Sequence, residues 1–201
     1  MRWDVARDLD RAHGLPRSSV FETLYRSDAW RDIERGQGDP AAWMESAHRE
    51  LERRAARPLP PLHEEWRRAQ GAIAPNVDLV RALRPRYKVS VLSNADGTLR
   101  GRLESDGLHH LFDDIVVSAE VGMAKPEPAV FHLAVERLGV AAGECVFVDD
   151  WDQNVEAARA VGMVAVHHRV DKGDDLRAQL ESVGVSVVEA FGHSSWPSRS
   201  S

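Results

Sequence analysis

Two short apolar runs, each ending in polar residues, constrain the fold of this chain more than any other feature. Residues 87–92 predict a β-strand that delivers Ser93 and Asn94 into the following loop, and residues 145–148 predict a second strand that delivers the pair Asp149-Asp150. Both runs alternate with helical stretches. That alternation indicates an α/β fold with a parallel sheet and crossover helices.

The polar groups after these runs have the chemistry of a phosphate site. In open parallel sheets, ligands bind beyond the carboxyl ends of the strands. Asp149 and Asp150 are hard oxygen ligands suited to Mg²⁺. Lys125, just before a Pro-Glu-Pro turn, can present a point charge to a phosphoryl group, and Ser93 can hydrogen-bond its oxygens. Together these residues would stabilise the charge of a phosphoryl-transfer transition state.

The same fragments carry a family resemblance. The order VLSNADG at 91–97, GMAKPEP at 122–128 and FVDDWDQN at 147–154 is similar to motifs II, III and IV of the haloacid dehalogenase (HAD) superfamily. The match runs from about residue 77 to 188. It most resembles the helical-capped sugar-phosphate phosphatases and the phosphatase domain of soluble epoxide hydrolases. The resemblance implies a HAD-like, Rossmann-type parallel sheet with a small helical cap.

The resemblance also implies a role for each site residue. Ser93 and Lys125 would contact the phosphoryl group during catalysis, and Asn94 would bind substrate by shaping that loop. Asp150 would be the direct Mg²⁺ ligand and Asp149 a supporting or water-mediated one, with the two roles open to exchange. Small phosphorylated metabolites are the expected substrates.

The fragment that holds the family's nucleophile is missing from the sequence. The family attacks phosphorus with an Asp in a DxDGT-type motif I at the end of the first strand. Asp8-Leu9-Asp10 has the spacing, but its leader is not an apolar strand and it is typical of a solvated helix face. Residues 94–99 contain the letters DGTL, yet Asn94 stands where the nucleophile would be. Asp96-Gly97 therefore predicts a turn into a helix.

The part of the chain before the first apolar run predicts the cap. Residues 1–76 indicate about four helices, with Ser19 in capping-box spacing and Asp39 as an N-cap before Pro40. Residues 77–189 form the α/β core, lacking its first strand, which leaves strand edges unpaired. Residues 190–201 are expected to be a disordered tail. A misplaced start codon is our preferred explanation of the missing strand, and a chain that lost catalysis but kept binding is the other.

Composition narrows the class of protein further. The formal net charge of −6 gives no reason to expect nucleic acid or an anionic membrane as a partner. No apolar stretch approaches the ~20 residues of a membrane span, and the N-terminus lacks a signal-peptide core. Cys145 is the only cysteine, so an intramolecular disulfide is impossible. We expect a cytoplasmic protein that is a monomer or a homodimer.

Three functions stay open at this point. The leading one is a Mg²⁺-dependent phosphatase that is catalytically incomplete as written. The alternatives are a non-catalytic phosphate- or partner-binding protein and a haloacid dehalogenase-type hydrolase.

The predicted cap contains four tryptophans, Trp3, Trp30, Trp43 and Trp66. Most of them are expected to pack in the interior of the cap, and one or two could line the pocket entrance. The arginines at 53, 54 and 57 are expected to form a solvated helix face.

Overall fold

The computed structural model describes residues 3–187 of the chain. The helices are α1 (Trp3–Ala12), α2 (Ser19–Tyr25), α3 (Asp28–Ile33), α4 (Pro40–Ala55), α5 (Leu62–Ala69), α6 (Ala74–Leu83), α7 (Leu99–Ser105), α8 (Ser118–Val121), α9 (Pro128–Leu138), α10 (Asp152–Ala160) and α11 (Leu176–Ser182). The strands are β1 (Ser90–Ser93), β2 (Asp114–Val117), β3 (Val146–Asp149) and β4 (Val164–His167). The predicted tail at 190–201 lies outside the described residues.

The strands confirm the predicted α/β fold with parallel pairing. β1 pairs with β2, with Ser90 opposite Asp114, and β3 pairs with β4, with Val146 opposite Val164. Helix α7 lies between β1 and β2 in the chain, and α10 lies between β3 and β4. Such crossovers are what parallel pairs require. Within residues 3–187 the result is two separate two-stranded sheets, so β1 and β3 are not paired with each other.

Helices α1 to α5 pack around a hydrophobic cluster of their own. Its most deeply buried members are Val20, Leu24, Leu51, Leu62 and Trp66. The expected number of about four helices was too low, because the six-residue α3 was missed. That helix begins after Ser27, whose side chain accepts a hydrogen bond from the Trp30 N–H at 3.1 Å. Six residues are too few to show a helical period in the sequence.

The helix caps were predicted with mixed success. Asp39 is the N-cap of α4 as expected, and it accepts from the Ala41 N–H at 2.9 Å. The capping box at Ser19 was wrong, because Ser19 is already helical and its hydroxyl has no partner among the described residues. Asp10 from α1 instead accepts from the Val20 N–H at 2.9 Å. A carboxylate distant in sequence thus supplies the acceptor that the local serine was expected to supply.

The α/β part encloses a second cluster between its strands and helices. Its most deeply buried members are Val116, Val130, Phe131, Val155 and Ala158. The two strands predicted at 87–92 and 145–148 occur close to those positions as β1 and β3, although Ser93, expected in the loop, is the last residue of β1. No strand was predicted at the position of β2. Among residues 3–187, no helix combines the length and the hydropathy needed to cross a bilayer.

Candidate active site

Three segments place the five predicted site residues around one cavity. Ser93 and Asn94 lie at the end of β1, and Lys125 lies in the loop between α8 and α9. Asp149 ends β3, and Asp150 follows it. All five line a cavity of about 420 Å³. The prediction that a hydroxyl, an ammonium and two carboxylates gather at the carboxyl ends of the strands is therefore confirmed as geometry.

Lys125 links the ends of β1 and β3. Its ammonium group lies 2.5 Å from Oδ2 of Asp149 and donates to the carbonyl of Leu92 at 3.0 Å. The two charged side chains are only 9% and 7% exposed, so water screens their attraction little. The ammonium also lies 5.3 Å from the centroid of the Phe147 ring. The cation is therefore held in one position at the floor of the cavity.

Asn94 fixes the loop that carries Lys125. Its Oδ1 accepts from the Lys125 N–H at 2.8 Å, and its Nδ2 donates to the Lys125 carbonyl at 2.8 Å. The same Nδ2 donates to Oε2 of Glu34 at 3.1 Å. Both amide hydrogens are thereby used within the protein. The arrangement favours a positioning role for Asn94, in keeping with its expected function of shaping the loop.

The two carboxylates after β3 have different surroundings. Oδ1 of Asp149 accepts from the Trp151 N–H at 2.8 Å and from the Asn154 amide at 3.1 Å, while its other oxygen faces Lys125. Oδ2 of Asp150 accepts from the indole N–H of Trp3 at 2.8 Å. Asp149 is thus held in place by fixed donors, whereas Asp150 meets a side chain from the helical part.

This donor set fits a magnesium ion better than a soft metal. Within residues 3–187, no three His, Cys, Asp or Glu side chains form a ready-made metal cage. Mg²⁺ is typically bound by one or two carboxylates, with water and substrate phosphate completing the octahedron. Asp149 and Asp150 are such a pair, and they are the residues that would hold the ion.

Two residues that support the site were not foreseen from the sequence. Glu34, at the end of α3, accepts from Asn94 and from Arg35, and burial raises its pKa. Ser118, fully buried after β2, accepts from the Ala95 N–H at 3.0 Å and so anchors the loop after β1. Both contacts join residues distant in sequence, and no local pattern marks them.

The helical part and the loop after β3 together contribute an aromatic lining to the cavity. The aromatic residues that line it are Trp3, Phe21, Tyr25, Trp30 and Trp151. Of the four cap tryptophans, Trp43 and Trp66 are buried in the helical cluster, whereas Trp3 and Trp30 also face the cavity. The expectation that most pack and one or two reach the pocket entrance is confirmed. No sequence pattern marked Phe21 or Trp151 as residues that line the cavity.

The sequence features that resembled other sites have structural roles. Asp8 is exposed and pairs with Arg11 at 3.3 Å, as expected of a solvated helix face. The same expectation was wrong for Asp10, which is buried because it packs at the start of α2 and accepts from the Val20 N–H. Asp96 accepts from the Thr98 N–H at 2.9 Å in the turn before α7. Arg53 and Arg54 both bind Glu50 and lower its pKa to about 2. None of these arrangements requires a ligand.

Comparison with known proteins agrees with this geometry. The sesquiterpene phosphatase astK of Aspergillus oryzae is 29% identical over 152 residues, which are 72% of this chain and 74% of that protein. The solved HAD phosphatase from Thermococcus onnurineus is 25% identical, with a TM-score of 0.55 over 92% of this chain and 89% of that one. A HAD family enzyme from Bacteroides thetaiotaomicron, in complex with magnesium and inorganic phosphate, shares the fold: its TM-score is 0.58 at 20% identity, over 82% and 91% of the two chains.

Other curated relatives are matched over less of their length. The aligned part covers 30%, 52% and 58% of three phosphatases, from Methanopyrus kandleri, Escherichia coli and Mycobacterium tuberculosis respectively. The profile of the haloacid dehalogenase-like hydrolases, in contrast, matches residues 13–162, which span most of the helical part and every segment of the candidate site. The chain therefore belongs to the haloacid dehalogenase-like hydrolase family.

Proposed function

We propose that the chain is the phosphate- and metal-holding part of a Mg²⁺-dependent phosphomonoesterase for small phosphorylated metabolites. The observation that carries this proposal is the position of Lys125, which joins β1 to β3 at the floor of a cavity that Ser93 and Asp150 also line. A fixed cation and a hydroxyl donor, together with a Mg²⁺ ion held by hard carboxylates, would stabilise the charge of a transferring phosphoryl group. The phosphatases among the relatives support the same reaction class.

Each side chain has a defined task in this proposal. Lys125 binds the phosphoryl oxygens as a point charge, and Ser93 donates a hydrogen bond to them. Asn94 holds the Lys125 backbone in place. Asp150 is the direct metal ligand and Asp149 the supporting one. When bound, Mg²⁺ would neutralise charge on the phosphoryl oxygens.

We further propose that the described residues do not supply the nucleophile. The carboxylates that line the cavity are Glu34, Asp149 and Asp150. Asp149 is paired with Lys125, Asp150 is assigned to the metal, and Glu34 bonds to Asn94 and Arg35. The same observation favours a second candidate, a phosphate-binding protein without turnover, because phosphate binding requires only the groups already in place.

Calorimetric titration with inorganic phosphate in the presence of Mg²⁺ tests the binding role. Replacing Lys125 with Ala should weaken phosphate binding by about 10-fold or more, because a charge-assisted hydrogen bond contributes about 1.5–3 kcal/mol. Lys172→Ala, at the exposed end of a short 3-10 helix, is the matched control and should keep the wild-type affinity. Equal affinity in wild type and Lys125→Ala would refute the assignment.

Turnover by this chain tests the proposed lack of a nucleophile, because both candidate functions predict phosphate binding without release. Phosphate release from a panel of phosphomonoesters by this chain would show that it carries its own nucleophile and contradict the incomplete site. Binding without release supports the phosphate-holding role. Halide release from a 2-haloacid without Mg²⁺ would overturn the proposal in favour of dehalogenation.

A further inference from the structure

Beyond its polar floor, the cavity is lined by a continuous aromatic surface. The rings of Trp3 and Phe21 pack edge to face with centroids 4.9 Å apart, and Phe21 lies 5.4 Å from Trp151. Tyr25 continues the surface at 6.2 Å from Phe21 and meets Trp30 at 5.0 Å. These five rings come from α1, α2, α3 and the loop after β3. They form one wall rather than scattered contacts.

Two polar groups of this wall are engaged within the protein. The indole N–H of Trp3 donates to Oδ2 of Asp150 at 2.8 Å. The hydroxyl of Tyr25 accepts from the indole N–H of Trp66 at 2.9 Å. The wall therefore offers mainly apolar ring surface to a ligand. A hydroxyl-rich sugar would find few partners on the rings themselves, and polar groups held against them would lose water without compensation. The polar side chains that line the cavity outside its floor are Arg26, Arg31 and Gln153.

Arg26 shows that the ring faces accept a flat group. Its guanidinium carbon lies 5.3 Å from the centroid of Trp151 and 5.7 Å from that of Phe21, at the exposed end of α2. A guanidinium is planar and stacks on aromatic faces. An aromatic ligand would take the place of the Arg26 guanidinium on these faces, and the exposed Arg26 side chain would move aside.

We infer that the ligand of this cavity is an aryl phosphate, with its phosphoryl group at Lys125 and its ring against Phe21 and Trp151. This inference rests on the proposed phosphoryl-binding role of Lys125 and Ser93. Apolar, aromatic-lined clefts with a few convergent polar groups are typical small-molecule sites of ~300–1,000 Å³. At about 420 Å³ the cavity is at the small end of that range, which suits one or two rings better than a long isoprenoid chain.

The test compares non-hydrolysable phosphonates that share the phosphoryl-like group and differ only in the organic one. Binding of methyl-, cyclohexyl- and phenylphosphonate to the whole chain would be measured by calorimetry with Mg²⁺ present. We expect phenylphosphonate to bind more tightly than cyclohexylphosphonate by about 2- to 10-fold, the range that aromatic pairing adds to area burial. Methylphosphonate should bind most weakly.

A pair of matched variants assigns the preference to the wall. Phe21→Leu should lower the phenyl-to-methyl affinity ratio, whereas Phe112→Leu, which removes a half-buried ring packed in other clusters, should keep it. The ratio is insensitive to damage at the phosphoryl end, because such damage weakens both ligands alike.

The outcomes distinguish this inference from the proposed function. If inorganic phosphate and all three phosphonates fail to bind, the phosphoryl-site assignment itself fails. If phosphate binds but cyclohexyl- and phenylphosphonate bind equally, or farnesyl phosphate binds more tightly than phenylphosphonate, the aryl assignment is overturned and the phosphoryl site stands. An unchanged affinity ratio in Phe21→Leu would likewise remove Phe21 from the ligand wall.

Discussion

The side-chain amide of Asn94 bonds to both backbone polar groups of Lys125, accepting from its N–H and donating to its carbonyl, each at 2.8 Å. These two contacts tie the end of β1 to the loop before α9. A third contact, to Glu34, extends the same amide to α3. The helical part and the α/β part therefore share one hydrogen-bonded centre at the candidate site.

Replacing Asn94 with Ala should lower the free energy of unfolding by roughly 2–3 kcal/mol, because it leaves half-buried partners on Lys125 and Glu34 unsatisfied. Urea unfolding followed by circular dichroism measures the change. Asn76→Ala, on α6, is the control and should stay within about 0.5 kcal/mol of wild type. Equal stability of the two variants would mean that the Asn94 contacts contribute nothing net.

Asp10 and Asp8 should differ sharply although both belong to the same Asp-x-Asp sequence. Asp10→Ala removes the acceptor for the Val20 N–H at the start of α2 and should cost about 1–2 kcal/mol of stability. Asp10→Asn keeps an acceptor oxygen and should cost less. Asp8→Ala, at an exposed position, should change stability by less than about 0.5 kcal/mol.

Thermal or urea unfolding of the three variants checks the predicted differences in stability. Measuring phosphate release checks that Asp8 lies on an exposed helix face and is not a nucleophile. A loss of turnover in Asp8→Ala with unchanged stability would identify Asp8 as a nucleophile and contradict the helix-face interpretation. Equal losses of stability in Asp10→Ala and Asp8→Ala would contradict the capping role of Asp10.

The parts of the fold that were predictable are those with a local signal. Asp149 and Lys125 were found because an apolar strand or a turn lies beside each of them in the sequence. The start of α2 could not be foreseen in the same way, since the acceptor for its Val20 N–H comes from Asp10 on another helix. Glu34 reaches Asn94 across 60 residues, and only the packing of α3 against the loop after β1 creates that contact. Tertiary proximity, not residue type, defines these parts of the site.

The sheet was predictable in its parallel pairing, and its interruption agrees with the expectation of unpaired strand edges. Alternating strands and helices predicted parallel pairs, and β1–β2 and β3–β4 have that form. A continuous sheet would need a further strand between β1 and β3, and residues 3–187 contain no such strand. Lys125 bridges the two strand ends there through a side chain instead.

Glu34 should make the stability of the protein depend on pH. Burial raises its pKa above the ordinary value of 4.5, so the folded state binds the proton more tightly than the unfolded state. The charged form is therefore the less favourable one in the fold, and stability falls as pH rises from about 4.5 through the raised pKa. Glu34→Gln removes this titration.

The free energy of unfolding of Glu34→Gln, minus that of wild type, should thus increase across that pH window and then level off. Urea unfolding at a series of pH values from 4 upward measures it, with Glu64→Gln on the exposed face of α5 as the control. A difference that stays constant with pH, or that moves in the opposite direction, would contradict the assignment to Glu34.

Trp3 should act as a positioning residue for Asp150, the proposed metal ligand. Its indole N–H donates to Oδ2 of Asp150 at 2.8 Å and thereby fixes the orientation of that carboxylate. Loss of such an outer partner typically lowers metal affinity by ~10-fold or more. Trp3→Phe keeps an aromatic ring but removes the donor, so the midpoint of Mg²⁺ binding, measured by calorimetry, should rise by about that factor.

Trp43→Phe is the control for this variant. It loses a hydrogen bond to the Leu24 carbonyl instead and should leave the midpoint of Mg²⁺ binding unchanged. An equal midpoint in wild type and Trp3→Phe would show that the helical part does not control the metal ligand.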